Sequence, residues 1–258
     1  EFLLLVRGVG QMFFYLCKGV QQHFHSRAVP ALEMMLSAWF TPTPTYPSHV
    51  PWTASALSDG EPCALPFVET VLHELGLHGS GETLAMLWPI VAQRGETLLA
   101  TLSGAQVDQA QTILSVFAGL TKVLAEFLEF LVPQKRPRSP TLFIPWFKTF
   151  FTWAATTPGP LLHGLHTAAA HSMDLLKVLF LSASACRSGN PVDVLRSFAP
   201  VVQPLFRFAS GRWDDDVIVR GFSRFLVAAK ASPVFGQLFL KALQNVVPNL
   251  TFHIPDAA

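Results

Sequence analysis

The densest chemistry-bearing run in this chain is His73-Glu74-Leu75-Gly76-Leu77-His78. Two histidines and a carboxylate on one helix can hold zinc and activate water, but only when the histidines sit four apart, so that both imidazoles leave the same face. Here they are five apart, about 140° around a helix, and Gly76 falls between them. No metal site is expected there. His163, His166 and His171 share a later segment with Asp174 three residues beyond, and only His163 and His166 are at neighbour spacing. They predict a histidine-bearing surface face rather than a ligand set. Cys17, Cys63 and Cys186 are scattered, which fits neither a zinc cluster nor a disulfide framework. Free thiols in a reducing compartment are the expectation.

Other short motifs fail on the same kind of test. Gly8 and Gly10 lack both a preceding strand and the third glycine of a dinucleotide loop. Gly79-Ser80-Gly81 does not have the glycine spacing of a nucleophile elbow. Asp214, Asp215 and Asp216 are consecutive, so on a helix they point in different directions. Their expected role is to favour a helix N-terminus. No catalytic residue, metal ligand or cofactor is therefore predicted, and the chain is not read as an enzyme.

Two charged groups remain as candidate partner-binding residues. The first is a polar stripe, Lys122, Glu126 and Glu129, on an otherwise apolar segment. The second is the basic cluster Lys135, Arg136 and Arg138 within the proline-bounded linker 133–140. That cluster suits an anionic partner or a nuclear-import signal. The stripe suits a partner only if its helix lines a concave surface; Lys122 and Glu126 also form an ordinary four-apart pair.

The elements that must position these residues are helical. Residues 107–132 carry Ala110, Ile113, Leu114, Phe117, Leu120, Leu124, Phe127, Leu128 and Leu131 at the spacing of one helix face. A second apolar edge, through Val116, Val123, Phe127 and Phe130, leaves polar positions only at Asp108, Thr112, Ser115, Lys122, Glu126 and Glu129, with Gly119 among them. Such a helix must be covered on more than one side. Further helices are predicted at 2–24, 27–40 and 64–78, and from about Ser80 to Arg94, where Gly95 is expected to break the chain before a short helix at 96–103. Beyond the linker the pattern gives 141–156, 161–186, 192–209 bent by Pro200 and Pro204, 215–231 and 233–247. Residues 41–62 hold five prolines and read as an extended loop.

Half of the 258 residues are hydrophobic and only 14% are charged, which excludes a disordered chain. A net charge of +1 gives no reason to expect nucleic acid. The charges Lys122, Glu126 and Glu129 offset the insertion gain of the most apolar helix, so no membrane span is predicted. The absence of an initial Met points to a piece of a longer protein, without a clear secretory signal.

The expectation is an all-α fold, 1–258 forming one helical-repeat region interrupted by loop 41–62 and linker 133–140. Its antiparallel helix pairs stack as an α-solenoid of HEAT or armadillo type, with pairs recurring at about forty residues. In its paired Phe- and Leu-rich helices, 192–247 is similar to the C-terminal repeats of importin-β and exportin transport receptors. The resemblance implies a non-catalytic scaffold in the cytoplasm or nucleus that binds protein partners, either cargo or a small GTPase. It carries over no individual residue. A membrane-associated helical protein and a helical enzyme are the alternatives.

Overall fold

A computed structural model describes residues 81–131, 140–157, 164–184, 196–212, 214–229 and 236–237. The segments predicted at 2–24, 27–40 and 64–78, and the loop 41–62, lie outside the described residues, as does 233–247 apart from Gly236 and Gln237. Every described element is helical, and among the described residues there is no strand. The helices are α1 (Gly81–Ala100), α2 (Val107–Phe130), α3 (Ile144–Thr156), α4 (Leu165–Ser184), α5 (Ala199–Ser210) and α6 (Asp216–Ala229). Short 3₁₀ turns at Thr101–Gly104 and Pro140–Phe143 lead into α2 and α3. Among the described residues no helix is long and apolar enough to cross a membrane.

Two boundaries differ from the sequence expectation. The helix expected over 192–209 and bent at Pro200 is interrupted by a turn at Phe198; α5 begins at Ala199 with Pro200 in its first turn, where a missing N–H costs no helical bond. Gly95 does not end α1; the helix runs through it to Ala100. A glycine inside a helix costs roughly 0.5–1 kcal/mol relative to alanine, and here packing supplies the reason for it. A Cβ at Gly95 would lie inside the van der Waals envelope of Trp146, with Cη2 at 2.8 Å. The bare backbone lets the indole lie against α1. There its Nε1–H donates to the Ala92 carbonyl at 2.6 Å.

The helices contact their next-but-one neighbours. α4 packs between α2 and α6, and α3 packs between α1 and α5. In three of these contacts the paired positions advance together along both chains, so the helices run in the same direction. Between α1 and α3, Trp88 meets Phe143 and Ala92 meets Trp146. Between α3 and α5, Phe151 meets Phe208 and the Ala154 carbonyl meets Arg212. Between α4 and α6, His166 meets Asp215 and Asp174 meets Arg224. The molecule thus has two rows, α1/α3/α5 and α2/α4/α6. α3 and α5 begin at Ile144 and Ala199, a spacing of 55 residues rather than the expected forty.

The rows enclose a core rich in rings. Contacting centroids run from Phe127 through Trp88, Phe143, Trp146, Phe117, Phe150 and Phe151 to Phe208, 5.0–6.3 Å apart at each step. Offset and edge-on pairs of this kind add about 0.5–1.5 kcal/mol each beyond the area they bury. α2 is the doubly covered helix that its sequence predicts: Ile113, Leu114, Phe117, Leu120, Leu124 and Leu128 are all buried. Two hydroxyls are buried with them. Thr121 donates to Phe117 O at 2.9 Å and Ser172 to Ala168 O at 2.6 Å, so neither is left unsatisfied.

Candidate functional site

The candidate site is the outer surface of the α2/α4/α6 row. α2 contributes the predicted stripe: Glu126 and Glu129 are exposed, and Lys122 is half-buried. On α4, Asp174 and Lys177 are three residues apart and therefore share a face. On α6, Arg220 and Arg224 are four apart and both exposed.

Two ion pairs join these faces across the row. Lys177 Nζ lies 3.2 Å from Glu129 Oε1, and Arg224 donates to Asp174 Oδ2 at 3.1 Å. Arg220 additionally faces Asp216 at 3.6 Å within α6. The order across the surface is acidic on α2, mixed on α4 and basic on α6. Exposed pairs of this kind contribute roughly 0.2–1 kcal/mol each, too little to explain the fold. Their consequence is a charge pattern fixed in place on three helices.

Beside this ladder lies an apolar row. Phe130, Leu181 and Val227 are 48%, 42% and 75% exposed. Phe130 follows Glu126 by four residues, Leu181 follows Lys177 by four, and Val227 follows Arg224 by three. Each therefore continues its helix's ladder face toward the C-terminal end. Val107 and Val217, toward the N-terminal ends of α2 and α6, are exposed to a similar degree, 52% and 49%.

The opposite end of the row is tied down. Asp215 caps α6: its Oδ1 accepts from the Val217 and Ile218 amides at 2.9 and 3.1 Å. Its Oδ2 meets His166 Nδ1 at the start of α4. Arg212 reaches from the same turn to the C-terminal ends of two other helices. Its guanidinium donates to the carbonyls of Phe208 (3.2 Å), Ala154 (3.2 Å) and Thr157 (2.9 Å), and it stacks 4.4 Å from the Phe208 ring. A cation at helix C-termini complements their dipoles. Burial lowers the Arg212 pKa from its ordinary value, and the nearby Asp215 carboxylate opposes that shift. Arginine's very high intrinsic pKa keeps it charged.

The aspartate triplet thus caps a helix, as its sequence predicts, with Asp215 as the capping residue. Of the six predicted partner-binding residues, Lys122, Glu126 and Glu129 share this surface, whereas Lys135, Arg136 and Arg138 lie outside the described residues. So do His73, His78, His163 and all three cysteines. His166 and Asp174, considered above as ligands, instead face Asp215 and Arg224. Among the described residues no three His, Cys, Asp or Glu side chains converge as a metal site would require. Sequence reasoning did not find Lys177, Arg224, Leu181 or Val227. The opposite charges three apart at 174 and 177 were the available signal, since each needs a counter-charge on a neighbouring helix. Comparison of the chain with protein-family models, curated proteins and solved structures gives no match.

Proposed function

We propose that this chain is a non-catalytic α-solenoid segment that binds protein partners on the α2/α4/α6 surface, on the plan of the importin-β and exportin receptors. The observation that carries the reading is the next-but-one packing of helices in two rows, in the same direction in three of the four contacts. This is how stacked helix pairs build an extended surface.

The placement of proline supports the choice of row. Pro89 stands inside α1 and Pro204 inside α5, while Pro145 and Pro200 occupy the first turns of α3 and α5. α2, α4 and α6 contain none. A proline inside a helix removes one backbone hydrogen bond and bends the helix away from its ring. Pro89 is exposed and Pro204 half-exposed, which marks α1/α3/α5 as the row with irregular outer helices, and the straight, proline-free α2/α4/α6 row is taken as the partner-binding one. The second row also bears the ladder and the apolar side chains. On this reading the protein works in the cytoplasm or nucleus, and its partner is a cargo or a small GTPase.

Site-specific photo-cross-linking tests the proposal. Cross-linkers at Glu126 and Ser223 probe the proposed face, and those at Thr149 and Arg207 the other row. The expected result is partner capture from the first pair alone, altered when a small GTPase is held in its triphosphate form. Capture from the second pair alone would refute the assignment.

A further inference from the structure

The C-terminal end of α3 carries a feature that the α2/α4/α6 surface does not use. Thr157 follows the last residue of α3 and stands directly before Pro158 in the sequence. We infer that Thr157 is a phosphorylation site for a proline-directed serine/threonine kinase, and that its phosphate pairs with Arg212 and tightens the joint between α3, α5 and the turn before α6.

Proline-directed kinases select a serine or threonine followed at once by proline. Among the described residues Thr157 alone meets that condition. The proline ring also disfavours helical backbone in the residue before it. Thr157 accordingly has φ −89° and ψ 128°, an extended conformation, at the point where α3 stops. The acceptor is thus presented at a helix end, and the buried turn behind it need not unwind. Its hydroxyl is partly buried and donates to the Trp153 carbonyl at 2.9 Å, so fraying of this end residue is the local opening required. In the transfer, Thr157 Oγ1 bonds to the γ-phosphorus of ATP and the bond to the β-phosphate oxygen breaks. ADP leaves, and the hydroxyl proton passes to the kinase's base.

The receiving group is already in place. Arg212 Nη2 donates to the carbonyls of Thr157 at 2.9 Å and Ala154 at 3.2 Å, and Nη1 donates to that of Phe208 at 3.2 Å. A phosphate on Thr157 therefore stands on a residue that the guanidinium touches. The Arg212 Nε–H is buried with no hydrogen-bond partner, a costly state for a donor. One donor of the fork is unused, and Nη2 is shared between two neutral carbonyls. Phosphate oxygens are stronger acceptors than carbonyls, and they take arginine through two parallel bonds. Asp215, the other anion acting on Arg212, is engaged by the Val217 and Ile218 amides and by His166.

Two effects then compete. The phosphate carries about −1.5 to −2 charge at pH 7, the unfavourable sign for the C-terminal end of α3. Paired with Arg212, it gains charge-assisted bonds to a group anchored on α5. The sign of the net effect follows Arg212: stabilising while the arginine is there, destabilising once it is gone. Thr157 lies at the end of α3, on the α1/α3/α5 row, so the outcome does not depend on whether the α2/α4/α6 surface binds a partner.

The test treats the whole folded chain with a purified proline-directed kinase and magnesium ATP, and maps the phosphate by tandem mass spectrometry. Incorporation at Thr157 is expected, lost in Thr157→Ala and slowed at least about tenfold in Pro158→Ala. Urea denaturation then compares phosphorylated with unphosphorylated protein. The midpoint is expected to rise in the original chain, to rise by roughly half as much or less in Arg212→Lys, and to fall in Arg212→Gln. The lysine variant carries the comparison if Arg212→Gln does not fold. Phosphorylation of the urea-unfolded chain alone would overturn the site. A midpoint that fails to rise in the original chain, or that rises equally in Arg212→Lys, would overturn the pairing.

Discussion

Replacing Gly95 by alanine sets two effects of opposite sign against each other. Helix propensity alone predicts stabilisation, because alanine in a helix interior is favoured over glycine by roughly 0.5–1 kcal/mol. Packing predicts the reverse. The new Cβ would overlap Trp146 Cζ2 and Cε2, and these are atoms of a rigid ring. Trp146 is fully buried, hemmed in by Phe143 at 5.0 Å and Phe117 at 6.0 Å, and held by its bond to Ala92 O. Overpacking costs about 1–3 kcal/mol, and an indole N–H pushed off its acceptor costs about 1–3 kcal/mol more. The net expectation for Gly95→Ala is destabilisation by about 3 kcal/mol, read as a shift in the denaturation midpoint at constant slope. A double-mutant cycle isolates the cause. In a Trp146→Leu background the shorter side chain leaves room for the Cβ, and Gly95→Ala should then stabilise by about 0.5–1 kcal/mol. Stabilisation by Gly95→Ala in the original background would refute the reasoning, because it would mean that the indole does not lie on α1.

Three other outcomes follow from the geometry. Arg212→Lys keeps the charge but loses the planar fork that reaches three carbonyls, so a loss of about 1–2 kcal/mol in denaturant stability is expected. Asp215→Ala removes the α6 cap and should cost about 0.5–2 kcal/mol, whereas Asp215→Asn, which retains a capping oxygen, should cost less. A Glu129→Gln and Lys177→Met cycle should give a coupling below about 1 kcal/mol that fades in 1 M salt; a larger, salt-independent coupling would mean that the pair is structural.

Helix identity was legible wherever an apolar period was long. The pattern in 107–132 matches α2, including the half-buried polar edge at Ser115, Gly119 and Lys122. The boundary at Gly95 was not, because the reason for that glycine is Trp146, 51 positions later in the chain. A local rule reads a glycine as a stop; only a tertiary contact turns it into a packing position. The polar stripe on α2 was visible in the same way, but its extension was not. Asp174 and Lys177 could be assigned to one face of α4 by spacing alone. That Lys177 turns to α2 and Asp174 to α6 depends on which helices are neighbours, and periodicity carries no information about that.

The two ends of the α4/α6 pair differ in their chemistry. At the N-terminal end of α4 and α6, Asp215 satisfies two amides and meets His166, while Arg212 in the same turn closes the ends of α3 and α5. These are partly buried, charge-assisted contacts that fix four helix termini relative to one another, and such contacts are among the stronger ones available to a surface turn. Toward the C-terminal end, α4 and α6 carry Leu181 and Val227, 42% and 75% exposed, beyond the surface pair Arg224–Asp174. Such a surface pair adds little stability, and Leu181 and Val227 keep much of their apolar area in water. Covering by another surface would make the apolar area favourable, whereas a charge pair loses its hydration on burial and would serve specificity rather than affinity. The clamped end therefore accounts for the order of the helices, and the open end is where association would yield free energy that folding leaves unused.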